Sequence, residues 1–264
     1  MNLGVSSYTW VWAVGIKGYM PENPLDIINL LEKANSVGVK VVQIADNIPL
    51  NKMSDVELNK IITIAKEYSI KLEVGMLGIK PDNLYQYLQI AKKLKSSLVR
   101  TIFQSLNSKA VSLIKKVLPQ YEEANIYIGI ENHGEYKSVE LAGFIDKVGS
   151  GHVGVCLDTV NSFAALELPE TVVKVLAPYT INLHIKDFDI VRSNHKAGFS
   201  IEGRPAGKGR LNIAWIIDYL KSNGKNPNAI LELWTPFAGT IEETIQKEDE
   251  WALDSIKFLK KIIS

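Results

Sequence analysis

Residues 126–159 read IYIGIENHGEYKSVELAGFIDKVGSGHVGVCLDT, which is typical of a strand–helix–strand unit. Its two ends, 126–133 and 152–159, are short β-rich runs in which side chains of opposite character alternate. The segment between them has the spacing of an amphipathic helix. Strict alternation of strands and helices favours a parallel sheet, because each crossover returns the chain to the same edge.

The same alternation continues in both directions along the chain. Six further runs have strand character: 3–8, 39–46, 70–77, 98–103, 180–188 and 228–235. Eight units in 264 residues leave about 33 residues for each, which is the length of one βα repeat. The sequence therefore predicts the α/β class and a closed (β/α)₈ TIM barrel, formed by a single domain over residues 1–264. A doubly wound open sheet is the competing fold, but no glycine-rich phosphate turn follows the first strand.

Three helical segments carry boundary or packing signals. In 24–37, apolar residues recur at three-residue spacing, and Pro24 suits a first helical turn. Ser54 and Glu57 have the spacing of a capping box. The last helix, 240–263, is expected to bury a stripe of four residues: Trp251, Leu253, Ile256 and Leu259.

Composition excludes several classes of protein. The 46% hydrophobic and 22% charged residues are typical of a globular chain and argue against disorder. A net charge of +1 provides no basic surface for nucleic acid. No apolar run approaches the roughly 20 residues of a membrane span, and the first residues lack the layout of a signal peptide. One cysteine excludes an internal disulfide. Taken together, the charge, the hydropathy and the single cysteine predict a cytoplasmic protein without nucleic-acid or membrane partners.

Four polar side chains fall at or near the C-terminal ends of the last four strands: Glu131, Asp158, His184 and Glu232. Their strand neighbours are leucines and β-branched residues suited to the helix layer, so the four are expected to point into the barrel. Each alone has an ordinary reading, as a core histidine or a helix-capping carboxylate. Together at one mouth, three carboxylates would repel strongly unless a cation compensates. A divalent ion suits them, and the mixed oxygen and imidazole donors favour Mn²⁺, Mg²⁺ or Co²⁺.

The segments IENHG, LDTVN, LHIKDF and LELW resemble those of the xylose isomerase-like barrel superfamily of sugar epimerases, isomerases and related lyases. In its ketose 3-epimerase branch, the four matching residues bind one divalent ion. The resemblance implies that Glu131 and Glu232 are also the acid/base pair, whereas Asp158 and His184 are metal ligands only. The implied activity is isomerisation or epimerisation of a keto sugar or sugar phosphate through a metal-stabilised enediolate.

Two positions depart from the epimerase pattern. Asn161 stands where that branch has a histidine, and Arg204 directly precedes Pro205 in a shifted register. The arrangement HIKDF…GFSIEGRPAGKGRL instead resembles the 3-oxoisoapionate decarboxylase group. This second resemblance implies a metal-dependent decarboxylase, or another lyase, of a 3-oxo sugar acid as the alternative. In that reaction Lys186 would hold a substrate carboxylate, unless it only pairs with a neighbouring carboxylate.

Substrate contacts are expected from six residues near the mouth: His133, Asn161, Lys186, Arg204, Trp10 and Trp234. The two tryptophan rings suit stacking against a sugar, or packing under a loop. The connection 189–211 is long enough to be a binding loop or a tolerated insertion. The predicted ligand is a small carbohydrate, and the sequence is compatible with a homo-oligomer.

Two other functions fit the sequence less well than an enzyme acting on sugars. A non-enzymatic sugar-binding module would not need two opposed interior glutamates. A multi-zinc DNA-repair endonuclease of the same superfamily needs more histidines than the four present. Of the remaining polar residues, Glu73 is read as an inward contact or a capping group, and Cys156 as buried packing.

Overall fold

The structure is a computed structural model that describes residues 1–134, 136–193 and 197–263. Eight parallel strands close into a barrel: β1 (Leu3–Ser6), β2 (Val41–Ile44), β3 (Lys71–Leu77), β4 (Leu98–Ile102), β5 (Tyr127–Glu131), β6 (Val153–Asp158), β7 (Thr180–Ile185) and β10 (Asn228–Leu231). Neighbours follow chain order, and β10 pairs with both β7 and β1 to close the ring. The predicted α/β barrel is confirmed, with each strand shorter than the run that predicted it.

The helices that alternate with these strands are α1 (Val11–Val14), α2 (Ile27–Ser36), α3 (Asp55–Glu67), α4 (Pro81–Leu94), α5 (Ser108–Glu123), α6 (Ser138–Val148), α7 (Pro169–Leu176), α8 (Ile213–Ser222) and α9 (Ile241–Ile263). Alternate strand residues such as Val155, Leu183 and Leu231 join the buried faces of the helices in one continuous apolar cluster. No helix within the described ranges is both long and apolar enough to cross a membrane.

Side-chain caps set where the helices begin. The Ser54 hydroxyl accepts from the Glu57 N–H while the Glu57 carboxylate accepts from the Ser54 N–H, so the predicted capping box is confirmed. The prediction for Pro24 is wrong. The helix starts later, because the Asp26 carboxylate accepts from the Asn29 N–H at 2.8 Å and caps α2.

The buried stripe of α9 differs from its prediction at Leu253, and Trp251 is only partly buried. Leu253 is 55% exposed, so its assignment to the stripe is wrong, whereas Ile256 and Leu259 are buried as expected. Glu248 occupies the stripe instead, and its carboxyl oxygens accept from the N–H groups of Trp12 at 3.1 Å and Ala13 at 3.2 Å. Burial raises the pKa of Glu248 to about 8, although the two amide hydrogen bonds oppose the rise.

We expect this carboxyl group to make the protein less stable as the pH rises. The unfolded chain releases the Glu248 proton near pH 4.5, whereas the folded chain keeps it to about 8. The folded state binds more protons in that window, so the free energy of unfolding falls there by up to about 1.4 kcal/mol per pH unit. Urea unfolding at several pH values should show a steeper decline for the wild type than for Glu248→Gln. Parallel pH profiles would contradict this expectation.

The long connection after β7 forms a two-stranded antiparallel hairpin, made of β8 (Asp187–Arg192) and β9 (Phe199–Arg204). The single strand predicted over 180–188 is therefore wrong at its end, because β7 stops at Ile185 and the chain turns into the hairpin. Residues 194–196 of the predicted loop lie outside the described residues.

The Asp187 carboxylate fixes the turn that follows this hairpin. Its Oδ2 accepts from the N–H groups of Gly207 and Gly209, both at 2.9 Å. Its Oδ1 accepts from the N–H groups of Phe188 at 2.8 Å and Leu211 at 3.0 Å. A Cβ atom at Gly209 would collide with this carboxylate, so glycine allows the close approach. One side chain thus ties both ends of the hairpin segment together.

Asp187→Asn is expected to destabilise the fold by about 1–3 kcal/mol, because an amide offers one acceptor oxygen and leaves buried N–H groups facing its own NH₂. Asp189→Asn is the matched control on the same strand. Asp189 pairs with the largely exposed Arg210, so its loss should cost about 1 kcal/mol or less. Urea unfolding measures both values, and equal losses would contradict the anchoring role.

Candidate metal centre

The four residues predicted at the strand ends meet inside the barrel. Glu131 ends β5, Asp158 ends β6, His184 lies on β7 and Glu232 directly follows β10, and each is at most 1% exposed. The Nδ1 atom of His184 lies 3.3 Å from Glu131 Oε2 and 3.5 Å from Glu232 Oε1. Ligand atoms of Asp158, His184 and Glu232 all lie within 4.8 Å of one another.

Strand register explains this convergence. Asp158 is level with His184 where β6 pairs with β7, and Glu131 is level with Cys156 where β5 pairs with β6. The side chains of these neighbours therefore project from adjacent strands to the same side of the sheet. Leu157 and its apolar counterparts, one residue away, face the helices. The alternation of polar and apolar residues is what brings the site together.

Among the described residues, two buried cations face the carboxylates. The Lys186 ammonium lies 2.7 Å from Asp158 Oδ2 and 2.8 Å from Glu232 Oε2. Arg100, on β4, donates from Nε to Glu131 Oε2 at 2.5 Å and from a terminal nitrogen to Asp46 Oδ1 at 2.7 Å. Burial alone would lower the pKa of both cations. The surrounding carboxylates outweigh burial, and the pKa of Lys186 and of Arg100 lies above its usual range.

The same contacts keep Glu131 and Glu232 deprotonated. Burial raises the pKa of Glu131, but the positive charges of Arg100 and Lys186 outweigh burial, and the net shift is downward. For Glu232, burial is likewise outweighed by the charges of Lys186 and Arg100, and the pKa lies below its usual range. Both side chains are therefore carboxylates at neutral pH, which is the form that ligates metals.

The donor set fits a divalent cation. In the described part of the chain, His184 Nδ1 and Asp158 Oδ2 are buried polar atoms without a hydrogen-bond partner, although Lys186 lies close to the latter. The cluster holds four carboxylates, counting Asp46, against the two cations Arg100 and Lys186. That balance leaves two negative charges in a buried site, which a divalent ion would neutralise. Carboxylate oxygens with one imidazole suit Mn²⁺, Mg²⁺ or Co²⁺.

Comparison with known proteins agrees with this geometry. The family model described as xylose isomerase-like TIM barrel matches residues 31–262. The chain belongs to that family. The resemblance drawn from the strand-end motifs is thereby confirmed.

Individual relatives of this xylose isomerase-like barrel differ in what they do. The 3-oxo-isoapionate decarboxylase of Pectobacterium atrosepticum is 34% identical over 264 residues, covering 98% of this chain and 95% of that protein. The structure of D-psicose 3-epimerase with D-tagatose from Clostridium cellulolyticum H10 matches with a TM-score of 0.75 at 18% identity, covering 100% of both chains. A xylose isomerase-like TIM barrel protein from Mycobacterium smegmatis in complex with magnesium matches with a TM-score of 0.62 at 16% identity, covering 88% of each chain. At these identities the two solved structures show a shared fold.

Three of the other predicted site residues lie at or beside the candidate metal centre. The Asn161 amide donates to Glu131 Oε1 at 2.7 Å, and its backbone N–H donates to Asp158 Oδ1 at 2.8 Å. The Lys186 ammonium lies 5.8 Å from the centre of the Trp234 ring, which is 38% exposed. Asn161 and Lys186 therefore contact the cluster directly, and Trp234 lies beside Lys186.

The remaining three substrate contacts, at Trp10, Arg204 and His133, stay predictions. Trp10 is 2% exposed and packs in the apolar core, with the Lys33 ammonium 5.5 Å from its ring. Arg204 ends β9 and pairs with Glu202 of the same strand at 3.1 Å. His133 is exposed just beyond β5, and its N–H donates to the Tyr136 hydroxyl at 3.3 Å.

Two residues that contact the candidate metal centre, Arg100 and Gln43, were not predicted from the sequence. Arg100 lies within LVRTI and Gln43 within VVQI, both of them strands that are buried almost throughout. A charged or amide side chain flanked by apolar residues in such a strand must find a partner inside the barrel. The sequence therefore indicated that both side chains need buried partners, but only the closed barrel shows which residues those partners are.

Proposed function

We propose that this protein is a divalent-metal-dependent decarboxylase of a 3-oxo sugar acid. The observation that carries the proposal is the buried Lys186 ammonium, which lies between Asp158 and Glu232 beside the exposed edge of Trp234. A cation at this position is suited to pair with the carboxylate of an incoming substrate. The name of the relative that is 34% identical along nearly the whole chain supports the same reaction.

In the proposed reaction, Lys186 orients the substrate carboxylate and later supplies a proton. The bond between the carboxyl carbon and its neighbour breaks, CO₂ leaves, and the electron pair remains on the substrate as an enolate. The Lys186 ammonium then donates its proton to that carbon and recovers one from water. A divalent ion held by Glu131, Asp158, His184 and Glu232 would supply Lewis-acid stabilisation of the enolate charge.

The surrounding residues hold the site in place. Arg100 and Asn161 fix both oxygens of Glu131 through Nε and Nδ2. The Ser6 hydroxyl donates to Glu232 Oε1 at 2.9 Å and fixes that carboxylate in turn. Trp234 lies beside Lys186, with the ammonium 5.8 Å from the centre of its ring.

The second candidate is the isomerase or epimerase reaction on a keto sugar or sugar phosphate, which the strand-end motifs favour. One observation supports it: the Glu131 and Glu232 carboxylates flank His184 Nδ1 at similar distances, 3.3 and 3.5 Å. Two carboxylates placed on either side of one centre suit removal and return of a proton.

The test is an assay of the metal-loaded protein in deuterium oxide, with a panel of 3-oxo sugar acids and a panel of keto sugars. CO₂ release equal to substrate consumed supports the decarboxylase. Deuterium incorporation into a sugar that keeps all its carbon atoms, without CO₂, would overturn it in favour of the isomerase. Binding without turnover across both panels would contradict both reactions and leave a sugar-binding module.

A further inference from the structure

A chain of hydrogen bonds runs from His184 through the barrel interior to Glu73. The Nε2 atom of His184 lies 2.7 Å from Gln43 Oε1. The Gln43 amide nitrogen donates to Glu73 Oε2 at 2.9 Å and to Asn182 Oδ1 at 3.1 Å. All four residues are at most 5% exposed, so water does not replace these contacts.

Glu73 ends this chain as an acceptor. Its Oε2 also accepts from the Asn182 amide at 3.0 Å, and its Oε1 accepts from the Asn228 amide at 2.7 Å. A carboxylate has no N–H to offer, so each amide that faces it must present its NH₂ group. Glu73 thereby decides which end of the Gln43 and Asn182 amides points toward it.

The orientation of Gln43 decides the state of the histidine. With both amide hydrogens turned to Glu73 and Asn182, only Oε1 remains to face His184 Nε2. An oxygen acceptor at 2.7 Å requires a hydrogen on Nε2. A neutral imidazole that carries its proton on Nε2 has a lone pair on Nδ1. Nδ1 is the buried atom that faces Glu131 and Glu232 and has no hydrogen-bond partner among the described residues.

We infer that Gln43 and Glu73 are positioning residues that hold His184 with its proton on Nε2 and its lone pair toward the metal centre. The inference rests on the proposed function only in taking His184 as a metal ligand. Glu73 lies near the start of β3, at the opposite end of the barrel from the strand ends that form the centre. It lines a cavity of about 370 Å³ there, together with Lys225 and Asn228. Glu73, near the N-terminal ends of the barrel strands, therefore determines which ring nitrogen of His184 is free to bind a metal at their C-terminal ends.

The direct test is the tautomer of His184 in the full-length, metal-free protein. Long-range proton–nitrogen NMR spectra of histidine-labelled protein distinguish the two ring nitrogens, and the His184→Asn variant identifies the relevant signals. The spectra are recorded at alkaline pH, beyond the point where the ring signals stop moving. We expect the proton on Nε2. A ring protonated on Nδ1, or one that keeps both protons, overturns the inference.

Variants separate positioning from a merely structural role. Gln43→Met keeps the length of the side chain but removes the acceptor, and Glu73→Met removes the group that orients it. We expect mixed tautomers in both variants and a Mn²⁺ affinity about 10–100-fold weaker by calorimetry. Asn228→Ala is the matched control, because it removes one donor to Glu73 and leaves the bond to Gln43 in place. It should keep the wild-type tautomer and affinity.

These outcomes are distinguishable from failure of the proposed function. Wild-type tautomers in both Gln43→Met and Glu73→Met would exclude the positioning role, whatever reaction the protein catalyses. The expected tautomers together with an absence of CO₂ release would instead overturn the decarboxylase and leave the inference standing. If a variant fails to fold, the wild-type spectrum still tests the inference, because it shows whether the His184 proton lies on Nε2.

Discussion

Replacing Lys186 with methionine is expected to lower kcat for decarboxylation by about 10²–10⁴-fold, the usual contribution of a positioned proton donor. Methionine fills the same volume but offers neither a charge for the substrate carboxylate nor a proton for the enolate. Asp158 and Glu232 also lose their nearest cation, so we expect Mn²⁺ to bind at least as tightly as in the wild type. Turnover assays at saturating metal, together with calorimetry, measure the two effects separately.

Lys33→Met is the matched control for that variant. Lys33 also pairs with a carboxylate, that of Asp249, but both side chains are more than 30% exposed. Its loss should leave turnover unchanged and stability within about 1 kcal/mol of the wild type. Full activity in Lys186→Met, or an equal loss in the control, would contradict the role assigned to Lys186.

Glu131→Gln is expected to remove activity almost completely. The variant takes away one carboxylate of the metal centre and leaves Arg100 paired with Asp46 alone. Metal ions supply several kcal/mol of transition-state stabilisation, so we expect a loss of about 10²–10⁴-fold in turnover. The wild type should gain about 2.7 kcal/mol of stability at a metal concentration one hundred times Kd, and the variant much less.

Thermal unfolding with and without Mn²⁺ reads out that second effect independently of catalysis. Glu140→Gln serves as the control, because Glu140 is an exposed carboxylate whose one hydrogen bond among the described residues is from the Lys137 N–H at the start of α6. A wild type that gains no stability from Mn²⁺, Mg²⁺ or Co²⁺ would contradict the metal centre. A Glu131→Gln protein that turns over at the wild-type rate would contradict the role of this carboxylate.

The candidate metal centre was predictable from the sequence because strand side chains alternate with a period of two. Glu131, Asp158, His184 and Glu232 each stand opposite apolar neighbours at the end of a strand, and this fixes their direction without any knowledge of the whole fold. The closed ring then brings them together, since all parallel strands end at one mouth.

The partners of Arg100 and Gln43 were not predictable in the same way. Alternation tells which side of a strand a residue faces, but not which side chains meet across the interior. Arg100 contacts Glu131 on the neighbouring strand β5 and Asp46 just beyond β2, two strands away, and those pairings depend on strand stagger and side-chain length.

Local signals also failed where a competing contact decided the outcome. Because Asp26 caps α2, the helix begins after Pro24. In α9, Glu248 is buried where Leu253 is not, because its carboxyl group accepts hydrogen bonds from two backbone amides. The hairpin is a similar case, because the first residues of β8 continue the apolar and polar pattern of β7 although the chain has already turned.

The Asp187 anchor has a consequence for how this protein can change over evolutionary time. Because the closing turn is held through backbone N–H groups, exposed side chains of the hairpin can be exchanged without disturbing how the segment rejoins the barrel. Ile190, Phe199 and Ile201 already present exposed apolar surface on this segment. Directed evolution of new substrate ranges would therefore begin in this hairpin, where substitutions reduce the stability of the barrel least.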